Sequence, residues 1–276
     1  MKFDPRITPI RNRLASDKYS GLIKNCKFVK GNIYTVNSTY SPLYSEKKQK
    51  NLISQLLYGE NFHVLDINDG VAWGQCIRDN YVGYTPIQNL IKRKIKPNYK
   101  VQSLRTFIYS HPSIKVDPSN YLSFNSLVHV TKKKNNFSYI PSMGWCFSKN
   151  LIHFKNNKLD IYDLAMQYLQ TPYLWGGRDS MGIDCSGFIQ NLYQMKGIDL
   201  PRDTDLQAEF LSNSVSESNL KLGDLIFWNG HVAMALDSKN IIHANAYHMK
   251  TQIEPLKSAK KRIDKEYGKI LKICRL

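Results

Sequence analysis

No two cysteines in this 276-residue chain stand at a C-x-x-C spacing. The five present, Cys26, Cys76, Cys146, Cys185 and Cys274, are odd in number and far apart. That spacing argues against a zinc ribbon, a dithiol redox centre and a secreted disulfide framework. H-E-x-x-H is missing as well, so no paired-ligand motif supports a metal, and neither metal nor cofactor is expected. No segment approaches the roughly 20 apolar residues of a membrane span. The opening M-K-F-D-P-R-I-T-P-I-R-N-R has no apolar run of the kind a signal peptide needs. These absences lead us to expect a soluble, cytoplasmic protein with reduced thiols. Negative charge is scarce too, with 22 acidic against 39 basic side chains and a formal net charge of +17. Such an excess would suit nucleic acid, an anionic membrane surface or an acidic wall polymer. The basic clusters Lys92–Lys96, Lys132–Lys134 and Lys260–Arg262 are short, however, and no stacking aromatics interleave them. A solvated lysine-rich surface is the plainer reading, and no nucleic-acid partner is expected.

What is present suffices for a sizeable core, at 42% hydrophobic and 12% aromatic residues. A polar, proline-bearing arm opens the chain, with a short helix expected around Ile10–Ala15. From Asn32 to Leu90 short alternating runs follow one another: N-I-Y-T-V, F-H-V-L-D-I, A-W-G-Q-C-I and Y-V-G-Y-T. Turns such as Asn68–Gly70 separate them, and close-spaced short strands read as a small β-barrel. Leu52–Leu57 fits either a strand or a short helix. A second copy is suggested by Y-V-G-Y-T-P-I-Q-N-L-I, ending at Ile91, which aligns with S-M-G-W-C-F-S-K-N-L-I, ending at Ile152. Leu57–Val64 likewise resembles Leu122–Val130. Lys92–Asn98 and Phe154–Lys158 read as linkers. The expected organisation is therefore an arm and first barrel over 1–95, a second barrel over 96–155, and a third domain over 156–276.

From Asp160 the period becomes helical, with Ile161, Leu164, Ala165, Tyr168 and Leu169 on one face, and the helix stops at Thr171-Pro172. A glycine-rich bend then leads to Cys185, after which Phe188, Ile189, Leu192, Tyr193 and Met195 fall at helical spacing. Cys185 therefore sits where a loop becomes a helix. Backbone N–H groups and the helix dipole favour negative charge there, so the thiol is expected to titrate below its ordinary range. A helix-like D-L-Q-A-E-F-L follows. Next comes a strand pair broken at Asn229-Gly230, then a strand N-I-I-H-A-N-A, and K-I-L-K-I-C-R-L as the last strand. Two histidines lie in these strands. His231 begins one just after the turn, and His243 lies in the next. Paired strands would bring the two within reach, giving a nucleophile, a base and an orienter for the base. Taken singly, each residue is as well explained as a structural cysteine or histidine; the combination points to nucleophilic catalysis.

W-G-G-R-D-S-M-G-I-D-C-S-G-F-I-Q, L-P-R-D-T, L-K-L-G-D-L-I-F-W, G-H-V-A-M and I-I-H-A, in that order, resemble the NlpC family of cell-wall cysteine peptidases. The likeness covers about Leu159 to Leu276. The upstream part resembles, more loosely, the paired bacterial SH3-like domains of the γ-D-glutamyl-L-diamino-acid endopeptidases. The resemblance implies two SH3-like barrels followed by an α+β, papain-like catalytic domain with an antiparallel sheet. It makes Cys185 the nucleophile, His231 the base and His243 its orienter. It also implies substrate contacts for Asp184, Ser186, Trp175, Arg202 and Thr204, the last standing where serine is more usual. In the first barrel it assigns substrate contacts to Glu60 and Tyr81. Asp184 and Glu60 would close around a free amine, a charge-assisted contact worth about 1.5–3 kcal/mol.

The implied substrate is a peptidoglycan stem peptide, L-Ala-γ-D-Glu joined to diaminopimelate or lysine, with the alanine amine free. The implied setting is cell-wall recycling by a monomer. Two other functions remain compatible with the residues: a non-catalytic wall-binding protein, and an amidase or acyltransferase on the same fold.

Overall fold

The computed structural model describes residues 3–93, 95–156 and 158–276. Met1 and Lys2 of the arm lie outside them, as do Lys94 and Asn157 in the two stretches read as linkers. The chain divides into two compact units, Met1–Lys155 and Asn156–Leu276.

The arm is not helical over Ile10–Ala15. Asn12 adopts φ 41°, a conformation asparagine tolerates in tight turns, and the chain folds back so that Ile10 pairs with Ala15 and Arg11 with Leu14. Leu14–Ser16 then runs parallel to Lys27–Val29, completing a three-stranded sheet. This sheet packs Leu14 and Val29 onto Leu65, Trp73 and Val82. Arg11 is ion-paired with Asp66, and its guanidinium lies 4.4 Å from the Trp73 ring centroid. The arm is thus part of the first unit's packing.

Seven antiparallel strands follow, with Leu52–Leu57 a strand, around a core that includes Val36, Leu43, Leu56, Phe62 and Tyr81. The second half of the unit builds a three-stranded and a five-stranded sheet around Val101, Ile108, Leu122, Val128 and Ile140. The repeated sequences fold alike. Val82–Pro86, a turn of 3₁₀ helix at Ile87–Asn89 and Leu90–Ile91 are matched by Gly144–Phe147, Ser148–Asn150 and Leu151–His153. Hydrogen bonds repeat as well. Val36 N donates to Glu60 O and Gly59 N to Val36 O, as Val101 N donates to Ser126 O and Asn125 N to Val101 O. The two halves are joined at Tyr58, which lies in the second core and accepts from Leu127 N at 2.8 Å.

In the second unit, α1 (Ile161–Met166) is capped by Asp160, whose carboxylate accepts from Tyr162 N and Asp163 N. Helix α2 (Cys185–Met195) is buried along its whole length, and α3 (Thr204–Phe210) follows it. The five-stranded antiparallel sheet has the spatial order Lys250–Pro255, Asn240–Asn245, His231–Ala235, Leu225–Trp228, Lys272–Cys274. Trp228 pairs with His231 across the Asn229-Gly230 turn, so the hairpin fixes where His231 emerges. Helix α4 (Leu256–Tyr267), with no counterpart in the sequence expectations, buries Leu256, Ala259 and Ile263 against Trp228, Ala233, Ala235 and Ile241. Helix α2 packs on the strands that carry His231 and His243.

Gly59 and Gly74 are the two tightest glycines of the first unit, and Gly59 also adopts a left-handed backbone. It lies at φ 81°, and an added Cβ would stand 2.0 Å from Leu127 O. Left-handed backbone alone costs an L-residue about 1–2 kcal/mol, and the clash is with backbone that cannot rotate away. Gly59→Ala is expected to lower the unfolding free energy of the first unit by more than about 2 kcal/mol, measured by equilibrium denaturation.

Candidate active site

The start of α2 is held by one carboxylate. Asp184 is its N-cap, and Oδ1 accepts from Gly187 N at 2.7 Å. Oδ2 accepts from Gly176 N at 2.8 Å, tying the glycine bend to the helix. Arg202 completes the set, donating Nη1 to Oδ1 at 3.0 Å and Nη2 to Oδ2 at 2.6 Å. The Ser186 hydroxyl accepts from Arg202 Nη1 at 2.8 Å and donates to Asp184 Oδ1 at 3.3 Å. Gly187 permits this closeness, since a Cβ there would meet Gly177 O at 2.4 Å. Asp184 and Arg202 are both buried, at 6% and 1% exposed. A buried charge pair of this kind persists only with its remaining sites filled, as they are here.

Cys185 follows directly, 5% exposed, at the first turn of the helix. Burial pushes its thiol up to about 12, and the Asp184 carboxylate adds to the rise. Backbone hydrogen bonds from Val232 and Ser186 and the Arg202 charge act in the opposite direction. The expected low-titrating thiolate is therefore corrected: desolvation outweighs the helix end. The Val232 contact also places the sulfur beside the strand that begins at His231.

His231 and His243 meet side by side, His231 Nε2 lying 2.7 Å from His243 Nδ1. His231 Nδ1 is thus the nitrogen left for the thiol. Burial, then the neighbouring His243 and Arg262, pull His231 well below its ordinary value. His243 is fully buried and shifted the same way by desolvation. Burial thus favours the neutral forms of the thiol and of both imidazoles. Behind His243 stands Glu254, with Oε1 2.8 Å from Nε2. Arg262 donates Nη1 to Glu254 Oε2 at 3.0 Å and Nη2 to Oε1 at 2.5 Å. Hydrogen bonds from His243 and Arg262 outweigh the desolvation of Glu254 and lower it to about 2.

A cavity of about 620 Å³ opens beside the histidines. Tyr173, Trp175, Tyr247 and Tyr267 give it aromatic walls, while Arg262 and Glu266 supply charge. Among the described residues, His243, His248 and Glu254 place possible ligand atoms within 4.8 Å of one another. Arg262 already occupies Glu254, however, so a cation would have to displace a guanidinium; the donor set suits an ion pair better than a metal.

The structure thus brings Cys185, His231 and His243 together in one unit, with Asp184, Ser186 and Arg202 immediately behind the helix start. Of the residues expected to touch substrate, Trp175 lines the cavity and is 67% exposed. Asp184, Ser186 and Arg202 do not line it. Asp184 accepts from five donors on its two oxygens, and a substrate amine would have to add to these. Thr204 opens α3, which reaches α2 through Gln207 Nε2 to Ser186 O at 3.0 Å. Glu60 and Tyr81 belong to the other unit. Glu60 is buried, accepts from Leu57 N at 3.0 Å and faces Arg78 at 3.6 Å, and Tyr81 lies in the first core. Sequence reasoning missed Glu254 and Arg262. The strand register that sets Glu254 opposite Ile241, two residues from His243, has no local signature.

Residues 170–266 match the NlpC/P60 family, and residues 43–90 match the bacterial dipeptidyl-peptidase SH3 domain. Dipeptidyl-peptidase 6 of Lysinibacillus sphaericus is 35% identical over 86 residues, 31% of this chain and 32% of that protein. A γ-D-glutamyl-L-lysine dipeptidyl-peptidase of Bacillus subtilis is 38% identical over 113 residues, 39% of this chain and 38% of that protein. The chain thus spans about a third of the length of these curated relatives. In fold, it is similar to an NlpC/P60 family protein from Bacillus cereus, at TM-score 0.76 and 19% identity over 88% of this chain and 99% of that one.

Removing one partner of the buried pair beneath α2 leaves the other uncompensated, which typically costs about 3–5 kcal/mol. Arg202→Met is expected to destabilise the protein on that scale in denaturant unfolding. Adding Asp184→Asn should recover part of the loss, since asparagine still caps the helix.

Proposed function

We propose that this chain, with its NlpC/P60 domain and bacterial dipeptidyl-peptidase SH3 domain, is a cysteine peptidase of peptidoglycan stem peptides. It would cleave between γ-D-glutamate and the following diamino acid, lysine or diaminopimelate. The observation that carries the reading is Cys185 at the start of a buried helix packed on the His231 strand, with His231 and His243 2.7 Å apart. The repeat of strand, 3₁₀ turn and hydrogen bonds in residues 99–153 supports reading that half as a second SH3-like domain. The helix-to-sheet order of residues 156–276 supports a papain-like plan.

His231 Nδ1 takes the Cys185 proton as sulfur attacks the γ-carbonyl of D-glutamate. Carbon becomes tetrahedral, and backbone N–H groups at the start of α2 are the donors for its oxyanion. The C–N bond breaks, and His231 returns its proton to the departing amine. Water, activated by the same imidazole, adds to the thioester, and the thiol leaves with its proton restored. Asp184 and Arg202 act on this sequence by holding the helix start in place. The reading includes a substrate whose alanine amine is free.

Cys185→Ala should remain folded and lose all hydrolysis of L-Ala-γ-D-Glu-meso-diaminopimelate, followed by mass spectrometry of the released diamino acid. Undiminished turnover would end the proposal. Release of a different amine from wall digests would favour an amidase instead. Acetylating the alanine nitrogen is expected to reduce kcat/KM by about tenfold or more, the worth of one charge-assisted hydrogen bond. Equal rates on the capped and uncapped peptides would remove the free-amine requirement.

A further inference from the structure

The hydrogen bonds behind His231 form a chain that leaves only one arrangement of protons. Glu254 takes both Nη groups of Arg262, at 3.0 and 2.5 Å, and guanidinium groups only donate. An ionised carboxylate only accepts. Its contact with His243, 2.8 Å to Nε2, therefore requires the proton on His243 Nε2. In a neutral ring that makes His243 Nδ1 the bare nitrogen. Nδ1 lies 2.7 Å from His231 Nε2, so His231 must donate from Nε2. The one lone pair remaining on His231 is then at Nδ1, the nitrogen left for Cys185. Were Glu254 a donor, every step would invert, and the base would present an N–H to the thiol.

We infer that Glu254, clamped by Arg262, is a positioning residue that sets the tautomers of both histidines and so keeps a bare nitrogen facing Cys185. The clamp is itself braced. Tyr247 stacks on Arg262 with 4.3 Å between guanidinium carbon and ring centroid, and the Glu266 carboxylate adds a second negative neighbour. His248 is a further titratable group on this side, with its Nδ1 3.0 Å from Asn245 Oδ1, as are Tyr173 and Tyr267 on the cavity wall. Glu254 touches neither thiol nor substrate. Its effect passes through two rings, at no cost in new contacts during the reaction.

Two double variants that both lack the guanidinium test this: Glu254→Met/Arg262→Met and Glu254→Gln/Arg262→Met. His243 Nε2 and Arg262 Nη2 share Glu254 Oε1, so methionine there removes the acceptor of the Nε2 proton and frees the chain to invert. Glutamine keeps an amide oxygen at that place to accept from Nε2–H. Two readouts need no substrate: ¹⁵N shifts of the histidine rings, and the rate of Cys185 alkylation by iodoacetamide resolved by peptide mass spectrometry. Resolution by peptide is needed because Cys26 is only half-buried.

In the native protein His231 Nδ1 should give the shift of an unprotonated nitrogen. In Glu254→Met/Arg262→Met the signal should move to Nε2, and alkylation should slow by about 100-fold, the usual scale of general-base assistance. Glu254→Gln/Arg262→Met should regain about tenfold or more of that rate. Unchanged tautomers and a native alkylation rate in Glu254→Met/Arg262→Met would overturn the inference. So would a glutamine variant as slow as the methionine one with native tautomers in both, since that pattern marks damage to packing. A third readout, loss of kcat at constant KM, presupposes the peptidase activity proposed above. A native protein that shows the ring shifts but cleaves no stem peptide would sink that activity and leave the tautomer relay standing.

Discussion

The contact on which the rest of the second unit depends is the buried pair of Asp184 and Arg202. One carboxylate caps α2, ties down the glycine bend through Gly176 and holds a guanidinium through two hydrogen bonds. Arg202 comes from the segment just before α3, so the pair also fixes where that helix starts. Removing two charges from water is costly, and only dense hydrogen bonding offsets it. What the cost secures is position. The residue after the cap is Cys185, and its backbone cannot move without breaking five bonds to Asp184.

A second charged pair performs the matching task at the other end of the chemistry. Glu254 and Arg262 lie on the far side of His243, one on a strand and one on α4. Cys185 and the histidine pair are thus each backed by an acid–arginine pair. The two pairs differ in what they transmit. Asp184 and Arg202 set the place of a backbone, whereas Glu254 and Arg262 set the placing of protons. Burial disfavours the charged forms of the sulfur and of both rings, which makes orientation rather than standing charge the site's main resource.

The sequence made some of this legible and hid the rest for identifiable reasons. Cys185 at a loop-to-helix boundary and His231 after a turn are local signals, and local signals survive in one dimension. The two-residue Asn229-Gly230 turn likewise announced its hairpin, and the aligned Gly83-Tyr84 and Gly144-Trp145 stretches announced a repeat that the hydrogen bonds reproduce. Ile10–Ala15 was misread because its apolar spacing suits a helix over so short a span. The deciding feature was Asn12 at positive φ, a property of one residue in the context of the sheet beside it. Helix α4 went unread because its lysine-rich sequence shows only Leu256, Ala259 and Ile263 as an apolar stripe.

Asp184 shows the limit more instructively than any of these. Read along the chain, it is a carboxylate beside a nucleophile, and binding a substrate amine is a natural use for it. Whether a carboxylate is available depends on what else reaches it, and Arg202 stands 18 positions away. Nothing in the spacing of P-R-D-T says that the arginine turns inward. The same reasoning applies in reverse to Glu254, an unremarked strand residue until the register set it beside His243. In both cases the residue's identity was plain and its partner was not. Partners decide whether a charge is spent on the fold or available to the reaction. Here the acid nearest the cysteine is held by Arg202, and a distant one holds His243.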